Sequence, residues 1–96
     1  MELTIVEVVE EKRFVASLDG HIAFVEYIRA QGIVYLTHTE VPKALEGKGI
    51  GKAMIKGVLS IIKEEGATLA PLCPFVAAFL TRNPEWKSIL AKNYNV

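Results

Sequence analysis

Glu46-Gly47-Lys48-Gly49-Ile50-Gly51-Lys52 sits between two segments whose hydrophobic periods differ. Before it, residues 33–41 read Ile-Val-Tyr-Leu-Thr-His-Thr-Glu-Val, rich in the β-branched and aromatic residues that suit a strand. After it, over residues 49–65, Ile50, Met54, Val58 and Ile61 keep i, i+4, i+8, i+11 spacing and predict an amphipathic helix. Gly66 is well placed as its stop. A glycine loop that joins a strand to a helix is suited to an anion. Glycine lets main-chain N–H groups approach a ligand without a Cβ in the way. The first N–H groups of the helix lack internal partners, and the helix dipole favours negative charge there. Lys48 and Lys52 add point charges that reach a diphosphate. Two familiar phosphate loops are excluded by spacing. A dinucleotide fingerprint needs Gly or Ala three residues after Gly49, and a Walker A loop needs Gly five residues after Gly47. Lys52 occupies both positions. The alternative is a tight turn that glycine permits, with no ligand.

Outward from the loop, the sequence reads as strands upstream and helices downstream. Residues 14–18 run into Asp19-Gly20, a strong hairpin signal because both turn positions favour positive φ. The return strand is 21–29, Gln31-Gly32 makes a second turn, and 33–41 completes an antiparallel meander. Residues 3–9 predict a further strand with vague edges, and Glu10-Glu11-Lys12-Arg13 a solvated lead-in to the next. Beyond the helix, residues 68–72 form a short strand. Strand, helix, strand implies a right-handed crossover and a parallel pair. Pro74 opens a helix that ends near Asn83, and Pro84 opens a last short one with Trp86, Ile89 and Leu90. The fold class is therefore α+β: a mostly antiparallel sheet, one parallel strand-helix-strand crossover, and C-terminal helices. Phe75, Phe79, Trp86 and Tyr94 read as packing residues.

Composition narrows the function classes. At 96 residues, with 51% hydrophobic and 23% charged, residues 1–96 are expected to form one domain around one core. Eleven basic and eleven acidic residues cancel, so net charge gives no general grip on nucleic acid or anionic lipid. Lys43, Lys48, Lys52 and Lys56 nevertheless cluster. The single cysteine, Cys73, rules out an internal disulfide and fits a reducing compartment. No apolar run approaches the roughly 20 residues of a membrane span, and the N-terminus lacks the shape of a signal peptide. A soluble cytoplasmic protein is expected. No His/Cys/Asp/Glu grouping has metal-ligand spacing, so no metal is expected.

The loop, from Glu46 to Gly51, resembles the pyrophosphate loop of the GCN5-related N-acetyltransferases, whose pattern is Gln/Arg-x-x-Gly-x-Gly/Ala. Gly49 and Gly51 match it, and Glu46 departs from the usual first residue. His38-Thr39-Glu40-Val41-Pro42, Pro71-Leu72-Cys73-Pro74-Phe75-Val76 and Arg82-Asn83-Pro84-Glu85-Trp86 extend the resemblance to a small single-domain subgroup with a Cys-Pro motif, over about residues 10–92. The resemblance implies acetyl-coenzyme A as cofactor and a primary amine as acceptor. Coenzyme A would lie against Gly47, Lys48, Gly49, Ile50, Gly51 and Lys52 at its pyrophosphate. Its pantetheine arm would pair with the main chain near Glu40 and Val41, in a gap where strand 33–41 and the Leu69 strand splay apart. Cys73, Pro74 and Phe75 would flank the thioester. The subgroup lacks the early helices that wall the acceptor site in larger relatives, which implies an open acceptor pocket.

Acyl transfer from a thioester needs a base for the amine, stabilisation of the oxyanion and a proton for the leaving thiolate. Cys73 precedes Pro74 at a helix start, where the dipole favours a thiolate. It is a candidate nucleophile or proton donor, and its alternative role is that of a small buried hydrophobe. His38 and Glu40 lie two apart on a strand and so share a face. Either is a candidate general base if that face lines the cleft, and histidine suits proton transfer near neutral pH. Their alternatives are a sheet-packing histidine and a carboxylate at a strand end. Three functions remain open at this point: an N-acetyltransferase, a non-catalytic acyl-coenzyme A-binding module, and a protein-interaction domain.

Overall fold

A computed structural model describes residues 3–96. Five strands form one sheet in the order β1-β2-β3-β4-β5: β1 (Ile5–Val8), β2 (Arg13–Leu18), β3 (His21–Ala30), β4 (Ile33–Glu40) and β5 (Thr68–Pro71). Neighbours are antiparallel except β4 and β5, which run parallel on either side of the helix α1 (Ile50–Glu64). A second helix, α2 (Pro74–Arg82), and a 3₁₀ segment (Pro84–Ile89) follow. This is the α+β architecture read from the sequence, with its one parallel crossover.

The turns form for the reasons their residues supply. Asp19 and Gly20 take φ of 52° and 78°, and Gln31 and Gly32 take 52° and 79°. Positive φ at both central positions matches the right-handed twist of the strands they join. The lead-in at 10–13 is tighter than expected. A 3₁₀ turn at Val9–Glu11 ends at Lys12 in the left-handed region, and β1 consequently folds back onto β2.

α1 buries a wider stripe than the four periodic residues predict. Ile50, Met54, Ile55, Val58, Leu59 and Ile62 are buried, whereas Ile61 is half-buried. The helix meets the sheet on one side and α2 on the other, so its apolar face spans more than one row of side chains. The sheet contributes Phe14, Val25, Val34 and Leu36 to this core, each fully buried. Each such side chain contributes about 1.5–3 kcal/mol of burial free energy.

Two irregularities set up the site. First, β3 and β4 slip register between Glu26 and Tyr27: Glu26 pairs with His38, but Tyr27 pairs with Leu36. Thr37 is the extra residue of this bulge, and its hydroxyl donates to the Glu26 carbonyl at 3.2 Å. Second, the β4–β5 ladder stops at Leu36 and Pro71, although β4 stays paired with β3 as far as Glu40. The Cys73 N–H donates to the Leu36 carbonyl at 2.9 Å, and from there the two chains diverge. Residues 37–40 thus have a strand neighbour on one side only.

Candidate functional site

The glycine loop follows a 3₁₀ turn at Lys43–Leu45, anchored by the buried Leu45. Its three glycines have two different tasks. Gly47 and Gly49 sit at φ of 78° and 74° with open space where a Cβ would be, so backbone conformation requires them. Gly51 has no such constraint. A Cβ there would lie 2.7 Å from Cζ of Phe75, so Gly51 is required by the approach of that ring.

The loop leaves its amides free. Among the described residues, no N–H from 47 to 52 donates to a main-chain or side-chain acceptor, whereas the next amide, Ala53, donates to Gly49 at 3.1 Å. Gly49 is the N-cap of α1 and offers no side chain to satisfy them. These donors border a cavity of about 550 Å³ lined by Thr39, Val41, Gly47, Gly51, Lys52 and Phe75 among others. The cavity therefore runs from the unpaired edge of β4 to the head of α1. Donors without acceptors, an open strand edge and a cavity joining them fit a long ligand with a diphosphate and an amide-bearing arm.

Of the residues expected at the site, Val41, Gly47, Gly49, Ile50, Gly51, Lys52 and Phe75 line this one cavity. Lys48 lines an adjoining cavity and lies 4.0 Å from Asp19. Cys73 is the N-cap of α2, 95% buried, with Pro74 at the first helical position. Its sulfur lies 3.2 Å from the Thr39 hydroxyl.

His38 and Glu40 do share a face, and they are joined: Nε2 and Oε2 are 2.7 Å apart, both side chains more than half exposed. The face is the one turned away from α1. The bulge at Thr37 shifts the alternation so that Thr39 pairs with the buried Val25, while His38 and Glu40 pair with Glu26 and Phe24. Arg13 shares that outer face, with its guanidinium 3.9 Å from the Phe24 ring centroid. The gap beyond Leu36 thus has Thr39 and Cys73 towards one sheet face and the His38–Glu40 pair towards the other.

Thr39 was not among the residues that the sequence singles out. A strict period of two from Leu36 places Thr37 and Thr39 outside and His38 inside, and only the bulge reverses this. No residue in 33–41 marks the bulge as glycine would have done.

The sequence model described as GCN5-related N-acetyl-transferase matches residues 13–89. Protein NATD1 of Bos taurus is 36% identical over 66 residues, covering 69% of this chain and 58% of the relative. Protein NATD1 of Gallus gallus is 32% identical over 79 residues, covering 78% and 71%. The chain spans about three fifths of the length of the Bos taurus relative. In three dimensions, the solution structure of a GCN5-like protein from Staphylococcus aureus superposes with a TM-score of 0.70 at 22% identity, over 94% of this chain and 89% of that one. That likeness confirms the fold, and the match over residues 13–89 shows the kinship: the chain belongs to the GCN5-related N-acetyltransferase family.

Proposed function

We propose that this protein is an acetyl-coenzyme A-dependent N-acetyltransferase acting on a primary amine. The observation that carries the reading is the set of N–H groups at residues 47–52 with no acceptor among the described residues, in a loop whose Gly47, Gly49, Ile50, Gly51 and Lys52 line a cavity that also reaches Thr39 and Val41. Family membership supports the acetyl donor.

Bound acetyl-coenzyme A would supply a thioester acyl group activated towards an amine. The chain's own groups divide the remaining work. The main chain at 47–52, with Lys48 and Lys52, holds the diphosphate. The main chain near Glu40 and Val41 offers hydrogen bonds along an edge that no strand occupies. On the outer face, Glu40 accepts the amine's proton, with His38 hydrogen-bonded to it. On the inner face, the Cys73 thiol, held at the Thr39 hydroxyl, stands ready to give its proton to the departing thiolate. The same sulfur is alternatively the first acyl acceptor, in a two-step transfer. Pro74 starts α2 at that point and Phe75 covers Gly51.

Mass spectrometry of the protein mixed with acetyl-coenzyme A and a panel of primary amines tests this. Acetylated amine, lost in Glu40→Gln, supports the reading. A stable acetyl adduct on Cys73 that chases to amine favours the two-step route. Coenzyme A binding with no transfer to any amine leaves only a binding module.

A further inference from the structure

His38, Thr39 and Glu40 alternate across β4, and the bulge at Thr37 sends the middle one inward. Thr39 lies opposite the buried Val25 and lines the cavity assigned to coenzyme A. Cys73 lies behind it: 95% buried, outside that lining, with its sulfur 3.2 Å from the Thr39 hydroxyl. Of this pair, Thr39 is the residue at the cavity wall. We infer, on the coenzyme A reading above, that Thr39 is a catalytic residue that passes the Cys73 proton to the departing thiolate, and that Cys73 is not itself acetylated.

The protons balance without a further reactant. On the outer face, Glu40 accepts a proton from the attacking amine. On the inner face, the Thr39 hydroxyl gives its proton to the sulfur that keeps the electron pair of the breaking C–S bond, and Oγ1 receives the Cys73 proton. An amide, a free carrier thiol, an intact hydroxyl, a Cys73 thiolate and a protonated Glu40 result. Glu40 then loses its proton to solvent and Cys73 regains one, which restores the starting state.

The chemistry of each group suits its part. A hydroxyl both donates and accepts, so Thr39 passes the proton on without ionising. The thiolate left behind sits at the N-cap of the nine-residue α2, where the helix dipole favours negative charge. The same burial speaks against Cys73 as first acyl acceptor. An attacking atom must come within about 3–3.5 Å of the carbonyl carbon, and Thr39 occupies the wall where the sulfur would have to emerge. Acid and base are thus adjacent in sequence but on opposite faces of the sheet, so the proton taken and the proton given travel separate paths.

Steady-state transfer to an amine from the panel above tests this with Thr39→Val, Cys73→Ala and the double variant. Valine keeps the shape of threonine and suits a strand. Loss of the hydroxyl should lower kcat by about a hundredfold, with KM for acetyl-coenzyme A within about threefold. Cys73→Ala should lose as much, and the double variant no more than either, because the two act as one chain. Thr39→Ser should restore most of kcat, whereas a threonine needed only for packing would tolerate valine better than serine. The cofactor-free protein gives a second readout. Iodoacetamide should alkylate Cys73 slowly in the wild type and at least about tenfold faster in Thr39→Ala, and coenzyme A should suppress that gain because the new path is the cavity. Wild-type kcat in Thr39→Val, losses that multiply in the double variant, an acetyl adduct on wild-type Cys73, or equal alkylation of wild type and Thr39→Ala overturns the relay while the acetyltransferase reading stands. Coenzyme A binding without transfer to any amine overturns both.

Discussion

The two ends of α1 are built on opposite principles. At its start, the N-cap is a glycine without a side chain, the amides of 47–52 have no acceptors among the described residues, and the surrounding residues are mostly exposed. At its end, Arg29 reaches from β3 to grip Glu65 at 2.8 and 2.9 Å while also contacting Glu7 of β1 at 3.1 and 3.2 Å. The Tyr27 hydroxyl donates to the same Glu7 carboxylate. One end leaves its main-chain donors without acceptors, and the other ties side chains from β1, β3 and the helix end together. Stability is therefore expected to depend on the closed end and ligand affinity on the open one.

The largest expected effect is at the open end. In Gly51→Val the new Cβ meets the Phe75 ring, whose tip must move. Because that ring is partly exposed, the fold survives, but the ring is driven into the space where the two cavities join. Coenzyme A affinity should fall by about a hundredfold or more, roughly 2.7 kcal/mol, measured by isothermal titration. Gly49→Val is a milder break that crosses the comparison. A β-branched residue at φ of 74° costs about 1–2 kcal/mol, so both the melting temperature and the affinity should drop, the latter by about tenfold.

The closed end is expected to give the reverse pattern. Arg29→Met removes a partly exposed bidentate pair and should lower the unfolding free energy by about 1 kcal/mol, read by denaturant titration. Coenzyme A affinity should stay within about twofold. The smallest effect concerns alkaline pH. Burial first, and then hydrogen bonding to Glu7, raise the Tyr27 hydroxyl above its usual 10.0, with Arg29 opposing. The folded protein holds that proton more tightly than the unfolded chain. The resulting stabilisation is complete below pH 10 and is lost as pH rises through the folded value. Tyr27→Phe should flatten this part of the alkaline stability profile in melts run above pH 10.

The parts of the fold that were legible in the sequence depend on local chemistry. Asp19-Gly20 and Gln31-Gly32 fix their hairpins through positive φ, Gly66 ends α1, and Pro74 begins α2. The glycine loop was legible for the same reason, because Gly47 and Gly49 answer a local conformational demand. The bulge at Thr37 was not, since it follows from how β3 and β4 register across a hairpin. It decides which side chains face Cys73, so the strand face of the site could not be read from alternation. The tight β1–β2 connection through Lys12 and the bridge from Leu69 to Leu90, with the Ala91 N–H donating to the Leu69 carbonyl at 2.8 Å, are likewise tertiary. Gly51 is an intermediate case. The sequence marks it, but its purpose appears only when Phe75, 24 positions later, is seen above it.

The most direct test follows backbone amide resonances while coenzyme A is titrated into nitrogen-15-labelled protein. The account predicts large downfield shifts concentrated at residues 47–52 as their N–H groups take up phosphate oxygens. Saturable binding that leaves those six amides unshifted would contradict it.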